Sequence, residues 1–168
     1  MKLNFGCGSI QPDGWCNVDR EDFGQEYDSL GDFGDNEFDM AVAHCSLQIN
    51  THDQLDGVLS DLYHAMKPAG TLRISLPDIH AGFDAYRRGD IKWFPNGEPN
   101  LDDRFSNWLT WYSTTRILLT PVAIANRLHA AGFPRPTLVD YRITSHHDQS
   151  IIDLDTRDGE CFFIEATK

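Results

Sequence analysis

The apolar positions along the chain fall into two rhythms: short runs bounded by turn residues, and longer stretches in which apolar residues recur three and four apart. The short runs predict strands at 2–5, 15–19, 27–31, 39–44, 71–76, 137–143 and 160–167. Leu55, Val58, Leu59, Leu62, Tyr63 and Met66 share one face of a helix, with Asp53, Asp56 and Asp61 turned elsewhere. Lys67-Pro68-Ala69-Gly70 ends it, since proline cannot continue a helix and glycine suits the turn into the next strand. A second helix starts at Thr120-Pro121, a capping residue followed by proline in the first helical position, and stops at Gly132. Its inner face is expected to carry Val122, Ile124, Ala125, Leu128 and Ala131. Strands alternating with crossover helices predict an α/β fold built on a doubly wound, mostly parallel sheet of seven strands.

Nothing reads as a repeat or a linker, so residues 1–168 are expected to form one domain. Two stretches interrupt the alternation. Only nine residues, Gly6 to Gly14, join the first two strands, so a loop or a single helical turn is expected where a parallel pair usually has a crossover helix. The stretch 78–120 has no strand pattern but holds Phe83, Tyr86, Trp93, Phe94, Phe105, Trp108, Trp111 and Tyr112. Long connections inside a compact domain commonly serve as lids or binding elements. This one is the expected lid over a second substrate, with Trp93 as an outward-facing aromatic, because the chain begins only one residue ahead of its first strand. The alternative is a helical hairpin whose aromatics pack on the sheet, which the spacing of Trp108, Trp111 and Tyr112 favours.

Charge narrows the partners. A net charge of −12, with no basic cluster denser than Arg87-Arg88, repels phosphate backbones and makes nucleic acid a poor expectation. No apolar run approaches the ~18 residues of a membrane span, and the opening residues lack the apolar stretch of a signal peptide, so a cytoplasmic protein with no membrane partner is expected. Cys7, Cys16, Cys45 and Cys161 are scattered without a Cys-x-x-Cys pair, which predicts free thiols rather than a zinc cage or a disulfide framework. Cys7 and Cys45 are expected near each other at neighbouring strand ends. His146-His147-Asp148 is not expected to hold a metal, since adjacent side chains on a strand point to opposite faces.

The chemistry-bearing residues gather where the first strands end. Gly6-Cys7-Gly8 follows a strand directly, and in a doubly wound sheet the ligand crevice lies at the carboxyl ends of the strands, where glycine lets backbone approach a ligand. A tight turn without a ligand is the competing reading. Gln11 stands where the dinucleotide fingerprint requires its third glycine, so a pyrophosphate-binding dehydrogenase is disfavoured. Asp19 ends the second strand, where a carboxylate can accept from both hydroxyls of a ribose; a helix cap or a surface acid is the plainer alternative. Gly31-Asp32-Phe33 closes the third strand with an acceptor for an exocyclic amine and an aromatic face for a base, Asp28 being the alternative acid.

These residues, in order, carry a resemblance. Leu3-Asn4-Phe5-Gly6-Cys7-Gly8, Gly14-Trp15-Cys16-Asn17-Val18-Asp19, Gly31-Asp32, Phe38-Asp39, Lys67-Pro68-Ala69-Gly70 and the run from Leu72 to Asp78 resemble small class I, Rossmann-like S-adenosylmethionine-dependent methyltransferases with an abbreviated first helix. The resemblance implies a seven-stranded sheet whose last strand is antiparallel, with S-adenosylmethionine above its carboxyl edge. It implies Gly6, Cys7 and Gly8 beneath the methionine part, Asp19 at the ribose, Asp32 and Phe33 at the adenine, His44 and Cys45 beside the methyl donor, and Phe5 and Arg20 among the cofactor-binding positions. Two departures stand out: Gln48-Ile49 replaces the family's usual Glu-His pair, and the loop between Asp32 and Phe38 is short.

The acceptor implied is a small molecule, and its identity and the oligomeric state are not legible. A base is needed only where the nucleophile must lose a proton; His44, His80 and Tyr112 are the candidates. A non-catalytic binding module and an aminopropyl transferase, the latter suggested by Asp84, Asp90, Glu98, Asp102 and Asp103, are the competing functions.

Overall fold

The computed structural model describes residues 1–19, 30, 33–95 and 97–168. Among them six strands form one sheet: β1 (Lys2–Phe5), β2 (Cys16–Val18), β3 (Phe38–His44), β4 (Met66–Pro77), β5 (Thr137–Val139) and β6 (Cys161–Thr167). The order is β2-β1-β3-β4-β6-β5. The first four strands are parallel, β6 is antiparallel to β4, and β5 is antiparallel to β6. The expectation of seven strands thus becomes six among the described residues; the strand expected at 27–31 lies outside them apart from Leu30.

The helices are α1 (His52–Ala65), α2 (Ile79–Arg87), α3 (Leu101–Leu109) and α4 (Pro121–Ala131). Thr51 begins α1 with a capping box, its hydroxyl accepting from Gln54 N while the Gln54 side chain accepts from Thr51 N. Thr120 and Pro121 begin α4 as expected, and Gly132, at φ +116°, ends it. Met66, expected on the inner face of α1, instead caps the helix and opens β4 without a loop. Val122, expected inside, is 69% exposed; Ile124 and Leu128 are the buried residues of α4, with Ala125 and Ala131 partly buried against the same core as expected.

Period-two alternation sorts the sheet's side chains onto two faces. Leu3, Phe5, Ala41, Ala43, Leu72, Ile74 and Leu76 pack against α1 and α4 as the main core. On the opposite face, Cys161 and Phe163 of β6 meet an aromatic cluster of Phe105 and Trp108 from α3, Phe94 from the link between α2 and α3, and Trp111 just after α3. The stretch 78–120 is therefore largely the helical hairpin that sequence spacing offered as the alternative. Trp93 is not outward-facing: it packs edge-on to Phe94 and Trp108, with ring centroids 4.8 and 5.0 Å away.

The link between β1 and β2 forms no helix. Asparagine side chains from the two strands hold it: Asn4 Nδ2 donates to Ile10 O at 2.7 Å, and Asn17 Nδ2 donates to Pro12 O at 3.1 Å. The sheet face left without a crossover helix is covered instead by Ile151 and Leu154, packed on Met40 and Val42. Lys2 reaches the same segment, 2.8 Å from Asp148.

Beside that cover lies Arg73, 1% exposed in the middle of β4. Its guanidinium donates to both carboxylate oxygens of Asp155, at 2.8 and 2.5 Å, to Glu165 at 2.7 Å, and to the carbonyls of Ile143 and Asp140 at 3.0 and 3.2 Å. This explains why the strand expected at 137–143 stops at Val139. The backbone after it turns, with Arg142 at φ +53°, to aim two carbonyls at Arg73 and the Arg142 N–H at Asp155.

Candidate functional site

The pairing of the strands aligns their carboxyl ends, so the segments after β1, β2, β3 and β4 and the residue before β6 share one edge. Because the chain passes from β1 to β2 on one side and β3 lies on the other, the edge has a topological switch point between β1 and β3. Gly6, Cys7 and Gly8 turn there, with Gly6 at φ +70° and Gly8 at φ +51°. The amides of Gly6 and Cys7 both donate to Val18 O, at 2.8 and 3.1 Å, which ties the turn to β2. Gly8 N donates to the Asp19 carboxylate in a short hydrogen bond. Gly8 is exposed and Asp19 half-buried, so backbone and carboxylate together face the crevice from adjacent strands.

Gly6 also has a packing duty. A Cβ built on it would lie 2.2 Å from Ser46 Cβ, and Ser46 Oγ donates to Phe5 O at 3.0 Å. The missing side chain lets the ends of β1 and β3 meet. Gly6→Ala is therefore expected to lower the melting temperature, and Ser46→Gly in the same chain to recover part of the loss. The remainder is the strain of alanine at positive φ, about 1–2 kcal/mol. Equal melting temperatures for the single and double variants, read by circular dichroism, would show that the contact with Ser46 is unimportant.

The other expected positions divide. The Phe5 side chain is buried in the main core, so only its backbone reaches the edge. Phe33 lies at the opposite end of the sheet, edge-on to Phe38, the first residue of β3, with ring centroids 5.1 Å apart. It is not brought to Gly8 and Asp19. Arg20 and Asp32, like Asp28 and Gly31, lie outside the described residues.

His44 ends β3 on the same edge, and both its ring nitrogens are held, Nδ1 by Ser75 Oγ in a short contact and Nε2 by Thr156 Oγ1 at 2.5 Å. Cys45 leaves the strand at φ +48°, and its thiol meets Cys161, 3.3 Å away, not Cys7 as sequence position suggested. The hydrogen bond from Cys161, with His44 and Ser75 adding to it, holds the Cys45 thiol well below the usual thiol range against the opposing effect of burial. Donating that bond, together with burial, pushes Cys161 upward.

Gln48 is 1% exposed, its side-chain Nε2 donating to Cys45 O at 2.7 Å and its backbone carbonyl accepting from Arg116 N and Ile117 N. The position that resemblance assigns to an acidic group is thus built into the framework. His80 is exposed in the first turn of α2, where Asp78 caps the helix. Tyr112, 37% exposed, has its phenol pushed up by burial and by the charge of Glu160. Glu160 itself is raised by burial, with Arg157 Nη1 3.8 Å away opposing it. Glu160 and Cys161 escaped the sequence reading because only the antiparallel return of β6 brings them beside the end of β4, a pairing no local pattern announces. The cluster His146-His147-Asp148 is internally engaged, with His146 Nδ1 3.2 Å from the backbone of Asp148 and Asp148 paired with Lys2.

A sheet in this order, with an antiparallel penultimate pairing and a glycine turn at its switch point, is the architecture of the class I methyltransferases. Solved structures share it. A SAM-dependent methyltransferase of Archaeoglobus fulgidus is similar at TM-score 0.56 and 13% identity, over 99% of this chain and 85% of that one. One from Thermotoga maritima is similar at 0.57 and 14%, over 99% and 81%, and one from Mesorhizobium loti at 0.57 and 14%, over 99% and 90%. No family model and no curated protein matches the chain. The chain has the class I methyltransferase fold, and no helix among the described residues is long and apolar enough to cross a membrane.

Proposed function

We propose that the protein binds S-adenosylmethionine at the switch-point edge and transfers its methyl group to a small-molecule acceptor. One observation carries the reading: the exposed Gly8 amide and the Asp19 carboxylate meet at the ends of β1 and β2. A carboxylate offers about four lone-pair sites, so accepting from Gly8 is compatible with also accepting from hydroxyls of a ribose. The hydrogen bond fixes the carboxylate's direction before a nucleoside arrives. Gly6, Cys7 and Gly8 form the backbone floor, and His44, held at both ring nitrogens, forms a fixed wall at the end of β3. When bound, S-adenosylmethionine supplies an electrophilic methyl group on its sulfonium.

What the chain must then do is align a nucleophile with that methyl group. Both ring nitrogens of His44 are engaged by the hydroxyls of Ser75 and Thr156, so neither meets a substrate without displacing one of them, and the raised phenol of Tyr112 stays protonated at neutral pH. Acceptors that transfer without a strong base, such as neutral amines, fit this set best. Similar solved structures support the cofactor class, since those of Archaeoglobus fulgidus, Thermotoga maritima and Mesorhizobium loti are SAM-dependent methyltransferases.

S-adenosylhomocysteine is expected to raise the melting temperature, because a ligand selective for the folded state stabilises it by about 2.7 kcal/mol at a hundred times its dissociation constant. NAD at equal concentration should shift it little. A shift with NAD and none with S-adenosylhomocysteine in the same thermal scan would refute the assignment. Binding without turnover across a panel of amines and hydroxylated acceptors would favour a non-catalytic binding module.

A further inference from the structure

Cys45 and Cys161 are 116 residues apart in the chain, yet their sulfurs are 3.3 Å apart. The contact arises because Cys45, at φ +48°, turns out of β3 across the end of β4, with its Sγ 3.7 Å from Ser75 Oγ. Cys161 opens β6 opposite Pro77, at the same edge. Neither is in a disulfide. Buried thiols in apolar surroundings are inert, whereas thiols beside polar and cationic groups react as thiolates. This pair has an aromatic cluster on one side and polar groups on the other: His44 on β3, Ser75 on β4, and Glu160 with Arg157 in the segment leading into β6. Cys161 also lines an open cleft of about 560 Å³, with Asp78, Tyr141 and Asp158 at its walls, so a small oxidant can reach the Cys161 end of the pair.

We propose that Cys45 and Cys161 form a redox-active dithiol that hydrogen peroxide converts reversibly into a disulfide at the edge of the crevice. In the reduced pair the single bridging hydrogen bond leaves Cys161 holding its proton and Cys45 as the nucleophile. The Cys45 sulfur attacks one peroxide oxygen, the O–O bond breaks, and the departing oxygen leaves as water after taking up a proton; Cys45 becomes a sulfenic acid. The Cys161 sulfur, giving up its proton, then attacks the Cys45 sulfur. The S–S bond forms, the S–O bond breaks, and the second oxygen leaves as water. Two thiols and one peroxide yield one disulfide and two waters, with two electrons passing from sulfur to oxygen.

The test uses the whole chain, which has four cysteines and needs no variant to be decisive. After exposure to a small excess of peroxide, the protein is denatured, alkylated with iodoacetamide and mapped by mass spectrometry. Cys7 and Cys16 should remain alkylated, with Cys45 and Cys161 recovered as a linked peptide that dithiothreitol returns to alkylatable form. Cys16, whose thiol burial and the charge of Glu37 push upward, is the internal control. In Cys161→Ser, Cys45 should be trapped as a sulfenic acid that dimedone labels. Oxidation of Cys7 or Cys16 as fast as Cys45, or loss of the two thiols without a linked peptide, would overturn the proposal. The outcome does not depend on the cofactor assignment.

Discussion

Arg73→Met is expected to remove about 3–5 kcal/mol of stability, the usual cost of breaking a buried ion pair from one side. Asp155 and Glu165 would be left buried, 3% and 7% exposed, without their cation. The carbonyls of Asp140 and Ile143 would lose their donor as well. Since domains of this kind are stable by only about 5–15 kcal/mol, the variant should unfold at a much lower urea concentration or fail to accumulate folded. The loss should come from stranded charge more than from missing attraction. Arg73→Met combined with Asp155→Asn and Glu165→Gln is therefore expected to recover a large part of it. A single-variant loss below about 1 kcal/mol, the scale of a surface pair, would mean that the cluster is far more hydrated than its burial indicates.

Asp19→Ala is expected to weaken S-adenosylhomocysteine binding about 10- to 100-fold in calorimetry, the loss of charge-assisted hydrogen bonds worth roughly 1.5–3 kcal/mol. Asp19→Asn should fall between, because it keeps an acceptor for Gly8 N but not the charge. The melting temperature without ligand separates this from simple damage to the turn, which Gly6 N and Cys7 N continue to anchor through Val18 O. Unchanged affinity in a well-folded Asp19→Ala protein would remove the carboxylate from the site.

The parts of the fold that local chemistry decides were legible from sequence. Thr120-Pro121 and Gly132 delimited α4 because a hydroxyl cap, a fixed proline φ and a left-handed glycine each act within a turn of the chain. The glycine turn and the acid at the ends of the first two strands were legible for the same reason. What escaped was set by distant partners. The strand expected at 137–143 reads as β throughout, yet Arg73 draws the carbonyls of its second half away from the sheet. Phe33 reads as a base-stacking aromatic by position, yet Phe38 offers it a core contact at the wrong end of β3. The thiol of Cys45 was matched to Cys7 by order along the sequence, whereas its actual neighbour comes from the final strand.

The helix-free link between β1 and β2 has a consequence for how the protein is made. Its missing cover is supplied by residues near the other terminus: Ile151 and Leu154 on Met40 and Val42, Asp148 on Lys2, and Asp155 with Glu165 on Arg73. A ribosome-bound chain that has emerged only as far as α4 carries all four parallel strands, but with Met40 and Val42 uncovered and the Arg73 guanidinium without its carboxylates. Contacts of such long sequence separation form late and slowly. The cover over β3 and β4 is therefore completed late, when residues 140–165 close over strands made a hundred residues earlier.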